Sequence, residues 1–174
     1  MNKNKIGFIG CGNMGSAIIS GILSSKVYDK EQIIASAHTK ATLDRLSSAY
    51  GISVTLDNTE IVKNSDIVFL AVKPFLYQSI IEEIRDSSDD TKLFVAIAAG
   101  ISHTKLHNFF GKPMKIVRAM PNTPAQVLEA MSALTPNEWV KAEELKTVKT
   151  IFESFGKAEV VPESLMDTVI GVSG

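Results

Sequence analysis

The chain has 174 residues, 45% of them hydrophobic and 21% charged, with a formal net charge of -1. That is enough to bury the core of one globular domain or slightly more, and the near-neutral balance excludes a global field able to hold nucleic acid or an anionic membrane. The one cysteine, Cys11, excludes an internal disulfide, and no Cys/His cluster has zinc-ligand spacing, so no metal site is expected and the setting reads as reducing and cytoplasmic.

The opening apolar run, Ile6 to Ile9, is far shorter than the ~20 residues of a membrane span or the core of a signal peptide, so neither export nor a membrane partner is expected. From there, short apolar runs alternate with longer amphipathic ones. Lys5 to Gly10 precedes Asn13 to Ser25, Gln32 to Ala37 precedes Ala41 to Tyr50, and Ile67 to Val72 precedes Phe75 to Ile84. This rhythm predicts strands alternating with helices. Asp66 to Val72 and Lys92 to Ala99 are apolar without alternation, as central parallel strands covered on both faces should be.

Met114 to Met120 reads as a further strand, ended by the two prolines of Pro121-Asn122-Thr123-Pro124, where helix is excluded. Another strand is expected over Val127 to Leu134. A helix follows, with Thr135 and Pro136 as its start signal and Gly156 as its stop. Its Glu143, Glu144 and Lys146 to Lys149 read as a solvated face. A short strand over Ala158 to Val161 leads to a last helix start at Pro162-Glu163-Ser164. The expected fold is therefore α/β, a Rossmann-type, doubly wound, mostly parallel sheet with helices on both faces. Residues 1–161 form one domain and 162–174 begin a helical one.

Gly10, Gly12 and Gly15 form G-x-G-x-x-G between the first strand and the first helix. In that setting the first glycine allows a tight turn, the second lets backbone approach a pyrophosphate, and the third lets helix pack on strand. The helix N-terminus then offers free N–H groups and partial positive charge to phosphates. Cys11 occupies a variable position of the motif rather than that of a reactive thiol. At the end of the second strand an acid would bond the 2′-hydroxyl of NAD. The chain instead has Ser36-Ala37-His38-Thr39-Lys40. Hydroxyls from Ser36 and Thr39 and charge from His38 and Lys40 would suit the phosphate of NADP. The other reading makes His38 and Lys40 plain solvated residues.

His103 and His107, one helical turn apart after the capping Ser102, lack a third ligand and read as surface residues. Lys73 before Pro74 is a solvated loop lysine or a group facing the cofactor, Arg118 a fold-bracing side chain or a ligand contact, and Asn122 a turn residue or a site residue.

Four further phrases, Asp66 to Pro74, Ala98 to Ile101, Arg118 to Pro124 and Asp167 to Gly174, join the glycine loop in a combination that closely resembles pyrroline-5-carboxylate reductases across essentially the whole chain. The resemblance implies hydride transfer from NADPH, preferred over NADH, to the C=N bond of 1-pyrroline-5-carboxylate, giving L-proline. It puts the cofactor against Ile9, Gly10, Cys11, Gly12, Asn13 and Met14, against Ala37, His38, Thr39 and Lys40, and against Asn58. Ala71, Val72, Lys73 and Pro74, with Ile97, Ala98 and Ala99, become the ribose and nicotinamide walls. It also implies a C-terminal helical domain that carries the homodimer or larger homo-oligomer and much of the substrate site. No residue is assigned as catalytic. Another imine or 3-hydroxyacid reductase with the same first domain, or an NADP-sensing module without turnover, would share these motifs.

Overall fold

The computed structural model describes residues 4–173; the first three residues of the expected first domain, and Gly174 at the end of the Asp167–Gly174 phrase, lie outside the described residues. In chain order, β1 (Ile6–Ile9) leads to α1 (Asn13–Ser24), β2 (Ile33–Ser36) to α2 (Lys40–Tyr50) and β3 (Ser53–Thr55) to α3 (Asn58–Asn64). Next come β4 (Ile67–Leu70) with α4 (Tyr77–Ile84), then β5 (Leu93–Ala96) with α5 (His103–Phe110). The chain continues through β6 (Lys115–Met120), β7 (Ala130–Pro136), α6 (Ala142–Glu153), β8 (Gly156–Val160) and α7 (Met166–Ser173). The sheet has eight strands in the order β3-β2-β1-β4-β5-β6-β7-β8. Every neighbouring pair is parallel except β6 with β7. This is the doubly wound, mostly parallel α/β sheet that the alternating pattern predicts.

Both faces of the sheet are covered, which explains the unalternating strands. Ile67 and Phe69 of β4 face one core with Ile18, Ile19 and Ile22 of α1, Leu46 of α2 and Phe152 of α6. Val68 and Leu70 face the other, with Ile61 of α3, Ile81 of α4 and Leu106 of α5. Phe8 stacks on Phe69 at 4.7 Å between ring centroids, and Phe152 closes the group at 6.0 Å from Phe69.

Beyond β6 the local signals mislead. The prolines end the ladder as expected, but Thr123–Val127 forms a 3-10 turn that contains Pro124, so helical geometry is not excluded there. A proline in a first helical turn forfeits only an N–H that lacks a partner anyway. β7 starts at Ala130 rather than Val127 and runs through Thr135 and Pro136, so these two do not start a helix. Thr135 lies opposite Arg118, and the Asn137 side chain accepts from the Ile116 amide at 3.1 Å and donates to the Met114 carbonyl at 2.8 Å. This clasp holds the end of β7 on β6 and delays α6 to Ala142. On α6 itself, Val148 is fully buried and Glu144 pairs with Lys115 at 2.7 Å, so the charged run is not wholly solvated.

The last segment is seated on its own sheet. Met166 is buried, and α7 rests against β6 and β7. Glu163 accepts from Arg118 Nη1 at 2.6 Å and from the His103 amide at 2.8 Å. Arg118 is therefore a brace. His103 is not a surface residue, since its side chain is 15% exposed and its Nε2 lies 3.1 Å from the Thr135 carbonyl oxygen. His107 does lie outside, where it stacks on Trp139 at 5.7 Å.

Burial raises the Glu163 pKa, but the His103 amide, the His103 ring and Arg118 outweigh it and leave the carboxyl below its ordinary value. Burial lowers that of His103. A group with a depressed folded pKa lends stability that is complete above its ordinary value and lost as pH falls through the folded one. Acidification should therefore lower the melting temperature, first below pH ~6.5 through His103 and then below ~4.3 through Glu163. Glu163→Ala should flatten the second step. At neutral pH it should cost about 1–3 kcal/mol, between an exposed ion pair and a buried one, because Glu163 is 40% exposed whereas the Arg118 it leaves unpaired is 6% exposed. An unchanged acid limb in a denaturation series would contradict this account.

Candidate functional site

The glycine loop is built by its backbone. Gly10 has φ +77, and a Cβ on it would lie 2.5 Å from a Val72 methyl, so both conformation and space require glycine. A Cβ on Gly15 would sit 3.2 Å from Cys11 Sγ and 3.4 Å from the Ala71 Cβ, the close helix-to-strand approach that the third glycine permits. Gly12 differs, because a Cβ there meets nothing within 4 Å. It is the residue before α1, which has no side-chain cap and no acid in its first turn. The loop thus presents bare backbone and the positive end of a helix to open space.

That space is a cavity of about 860 Å³ along the carboxyl ends of the parallel strands. It lies where the chain reverses its direction of winding, between β1 and β4, as ligand sites in open α/β sheets do. Gly10 to Met14 form its floor, Ala37 to Thr39 one wall, Ala71 to Pro74 the rim after β4, and Ile97 to Ala99 the far wall. Lys73, extended at ψ 147 ahead of Pro74, is exposed on that rim. No aspartate or glutamate lines the cavity, whereas Arg45 and Lys73 do. The shape and sign suit a long anionic ligand.

Three of the expected site residues lie off the cavity wall. Ile9 is 1% exposed, its side chain in the core. Lys40 is exposed at the start of α2. Asn58 accepts from the Ser36 hydroxyl at 2.6 Å and donates to Glu83 at 3.0 Å. Ser36 is itself 1% exposed, so its hydroxyl is committed to this relay and is not presented to a phosphate. Conversely, Thr42, Arg45, Leu76 and Gln126 line the cavity without a motif to announce them, and Met120 to Thr123, from the Arg118–Pro124 phrase, line it too. A one-face stripe in α2, Thr39-Thr42-Arg45, was the available signal. Asn122, on the wall, also accepts from the Met131 amide at 3.0 Å.

Tyr77 supports the wall from behind. Its hydroxyl donates to the Leu70 carbonyl at 2.6 Å and accepts from the amides of Ile97 at 3.1 Å and Ala98 at 3.2 Å. Burial holds the phenol far above its ordinary pKa, so it stays a donor. Those two amides are satisfied within the protein, so the wall offers the apolar side chains of Ile97, Ala98 and Ala99. Burial likewise pushes the Cys11 thiol up to about 11, against the opposing pull of Ser16 and Arg45. It remains a packed thiol, not a nucleophile. Among the described residues no group of three or more His, Cys, Asp or Glu could hold a metal, and no helix is long and apolar enough to cross a membrane.

Residues 5–100, more than half of the chain, match the family described as NADP oxidoreductase coenzyme F420-dependent. Over 172 residues, 99% of this chain and 64% of the other, the sequence is 41% identical to a pyrroline-5-carboxylate reductase of Escherichia coli (strain K12). A pyrroline-5-carboxylate reductase structure from Coxiella burnetii is 32% identical and superposes with a TM-score of 0.94 over 99% of this chain and 64% of that one. The structure of Plasmodium falciparum pyrroline carboxylate reductase with NADP bound is 32% identical, with a TM-score of 0.90 over 100% and 63%. The chain thus spans about 64% of the length of the curated relative it matches.

Tyr77→Phe removes the oxygen that satisfies the Ile97 and Ala98 amides and should cost ~1–3 kcal/mol. Denaturant unfolding gives the total, and amide hydrogen exchange at those two positions should accelerate selectively. Unaltered exchange there would show that the hydroxyl does not hold the wall.

Proposed function

The chain belongs to the family described as NADP oxidoreductase coenzyme F420-dependent, and from that premise we propose that it is the cofactor-binding part of a pyrroline-5-carboxylate reductase. One observation carries the reading: the cavity over the uncapped α1 is lined by cations and by no carboxylate, in a chain of net charge -1. A dinucleotide's pyrophosphate needs that arrangement.

The residues present fit the cofactor. Gly12 leaves a cradle that any side chain would fill. The loop from Gly10 to Met14 would hold the phosphates, and Thr39 with His38 would face the adenosine ribose. Ala71 to Pro74 and Ile97 to Ala99 would flank the nicotinamide half. A bound nicotinamide supplies the hydride for the imine carbon. The chain's own part is to position and to exclude water, since Ala98 and Ala99 are small enough to let a flat ring lie against the backbone. The imine of 1-pyrroline-5-carboxylate is more electrophilic when protonated and takes hydride without a strong protein acid. An acid–base pair is accordingly not required of the residues that line the cavity.

In this reading the cofactor is NADPH rather than NADH, because β2 ends without an acid. The domain boundary falls between Val161 and Pro162, where β8 gives way to the segment held by Glu163. The substrate carboxylate and the pairing into homodimers or larger homo-oligomers are assigned to helices that extend the relatives. A reducing cytoplasm suits the lone buried thiol.

Gly12→Leu should abolish NADPH binding while shifting the melting temperature by no more than a few degrees, because the added side chain enters empty space. Equal affinity before and after would put the cofactor elsewhere. Thr39→Asp should move the preference toward NADH by tenfold or more, an acid facing a phosphate costing about 1.4 kcal/mol or above. The activity itself is tested by NADPH oxidation with 1-pyrroline-5-carboxylate, using a full-length protein carrying this chain. Turnover only with another imine, or with a 3-hydroxyacid in reverse, would overturn the substrate assignment. Cofactor binding with no turnover at all would favour a sensing module.

A further inference from the structure

Resting on the reading of the cavity as a dinucleotide site, we propose that Arg45 is the residue that selects a cofactor phosphorylated on its adenosine ribose. The sequence points instead to His38 and Lys40, and of these Lys40 does not line the cavity. Arg45 does, one helical turn beyond Thr42 and two beyond Thr39, so the three form a single stripe of α2 toward the glycine loop. Thr39 caps the helix, and its hydroxyl lies 3.0 Å from that of Thr42.

The guanidinium is tethered by one arm. Nη2 donates to the Cys11 carbonyl at 3.3 Å and lies 3.5 Å from the Ser16 hydroxyl. Among the described residues no carboxylate pairs with Arg45, and its Nε and Nη1 have no protein partner. An arginine fork with one anchored arm and two free donors, beside two hydroxyls and without a counter-charge, is a pre-organised receptor for a phosphate dianion. Its place supports the same conclusion. The adenosine ribose of a dinucleotide lies at the end of the second strand, and Ala37, His38 and Thr39 at that end line the cavity that Arg45 lines. Lys73, the other lining cation, comes from the far side of β1, on the loop after β4. Arg45 is therefore the permanent charge available to the ribose phosphate, beside the imidazole of His38.

Two nucleotides separate this phosphate from the rest of the site: adenosine 2′,5′-bisphosphate and adenosine 5′-monophosphate. They differ only in the 2′-phosphate, and calorimetric binding of each to this chain needs neither turnover nor a substrate. The unsubstituted chain should bind the bisphosphate at least about tenfold more tightly. Arg45→Gln keeps an amide donor for the Cys11 carbonyl but removes the charge. It should weaken the bisphosphate about tenfold and the monophosphate less than about twofold. Arg45→Lys should recover part of the loss. Equal loss of both nucleotides would overturn the proposal by showing that Arg45 serves the loop and not the phosphate. If the unsubstituted chain binds both nucleotides equally, the NADPH preference falls and the role of Arg45 with it. If it binds neither, the dinucleotide reading itself falls.

Discussion

The turn at Gly10 is the constraint on which the site depends. Its φ of +77 and the Val72 methyl in the place of a Cβ force the chain out of β1 directly into α1. The residue that reaches the cap position is Gly12, which has no side chain to offer the helix. Three other helices carry side-chain caps: Thr39 on α2, Asp57 on α3 and Ser102 on α5 each accept a backbone N–H. α1 alone of these four is left open, and its first residues line the cavity at the carboxyl ends of the strands.

Several carboxylates are engaged elsewhere in the fold. Glu163 is tied to Arg118, Glu144 to Lys115, Glu83 to Asn58, and Asp66 to the Lys5 amide. The parallel topology then brings the ends of β1, β2, β4, β5 and β6 to one edge without an acid among the lining residues. A field built from backbone amides and a few cations persists there in a chain that is neutral overall. Shape is maintained by Tyr77, whose one hydroxyl joins the end of β4 to the loop after β5.

The antiparallel β7 adds a mechanical link. Arg118 sits mid-strand in β6, whose far end supplies Met120 to the cavity wall, and its guanidinium reaches Glu163 at the start of the last segment. His103, at the start of the helix after the Ala98–Ala99 wall, donates its amide to the same carboxylate. Elements that adjoin two walls of the cavity and the entry to α7 therefore share one carboxylate.

The alternation of apolar runs with amphipathic ones, the glycine spacing and the acid-free end of β2 determined the fold class and the floor of the cavity without coordinates. These features are local: strand and helix periods are written in consecutive residues, and the glycine turn needs no distant partner except where Val72 fills the space above Gly10. What only the tertiary structure decided came from residues far apart in sequence. Thr135 and Pro136 look like a helix start until Asn137 is seen clasping β6. Ser36 looks like a phosphate ligand until its hydroxyl is found on Asn58, and His103 looks like a surface residue until Glu163 and Thr135 close over it. Arg45 carries no motif, and its role depends on α2 packing beside the loop at Cys11, a contact between residues 34 positions apart. A side chain's partner is set by packing geometry, and one-dimensional spacing holds no record of it.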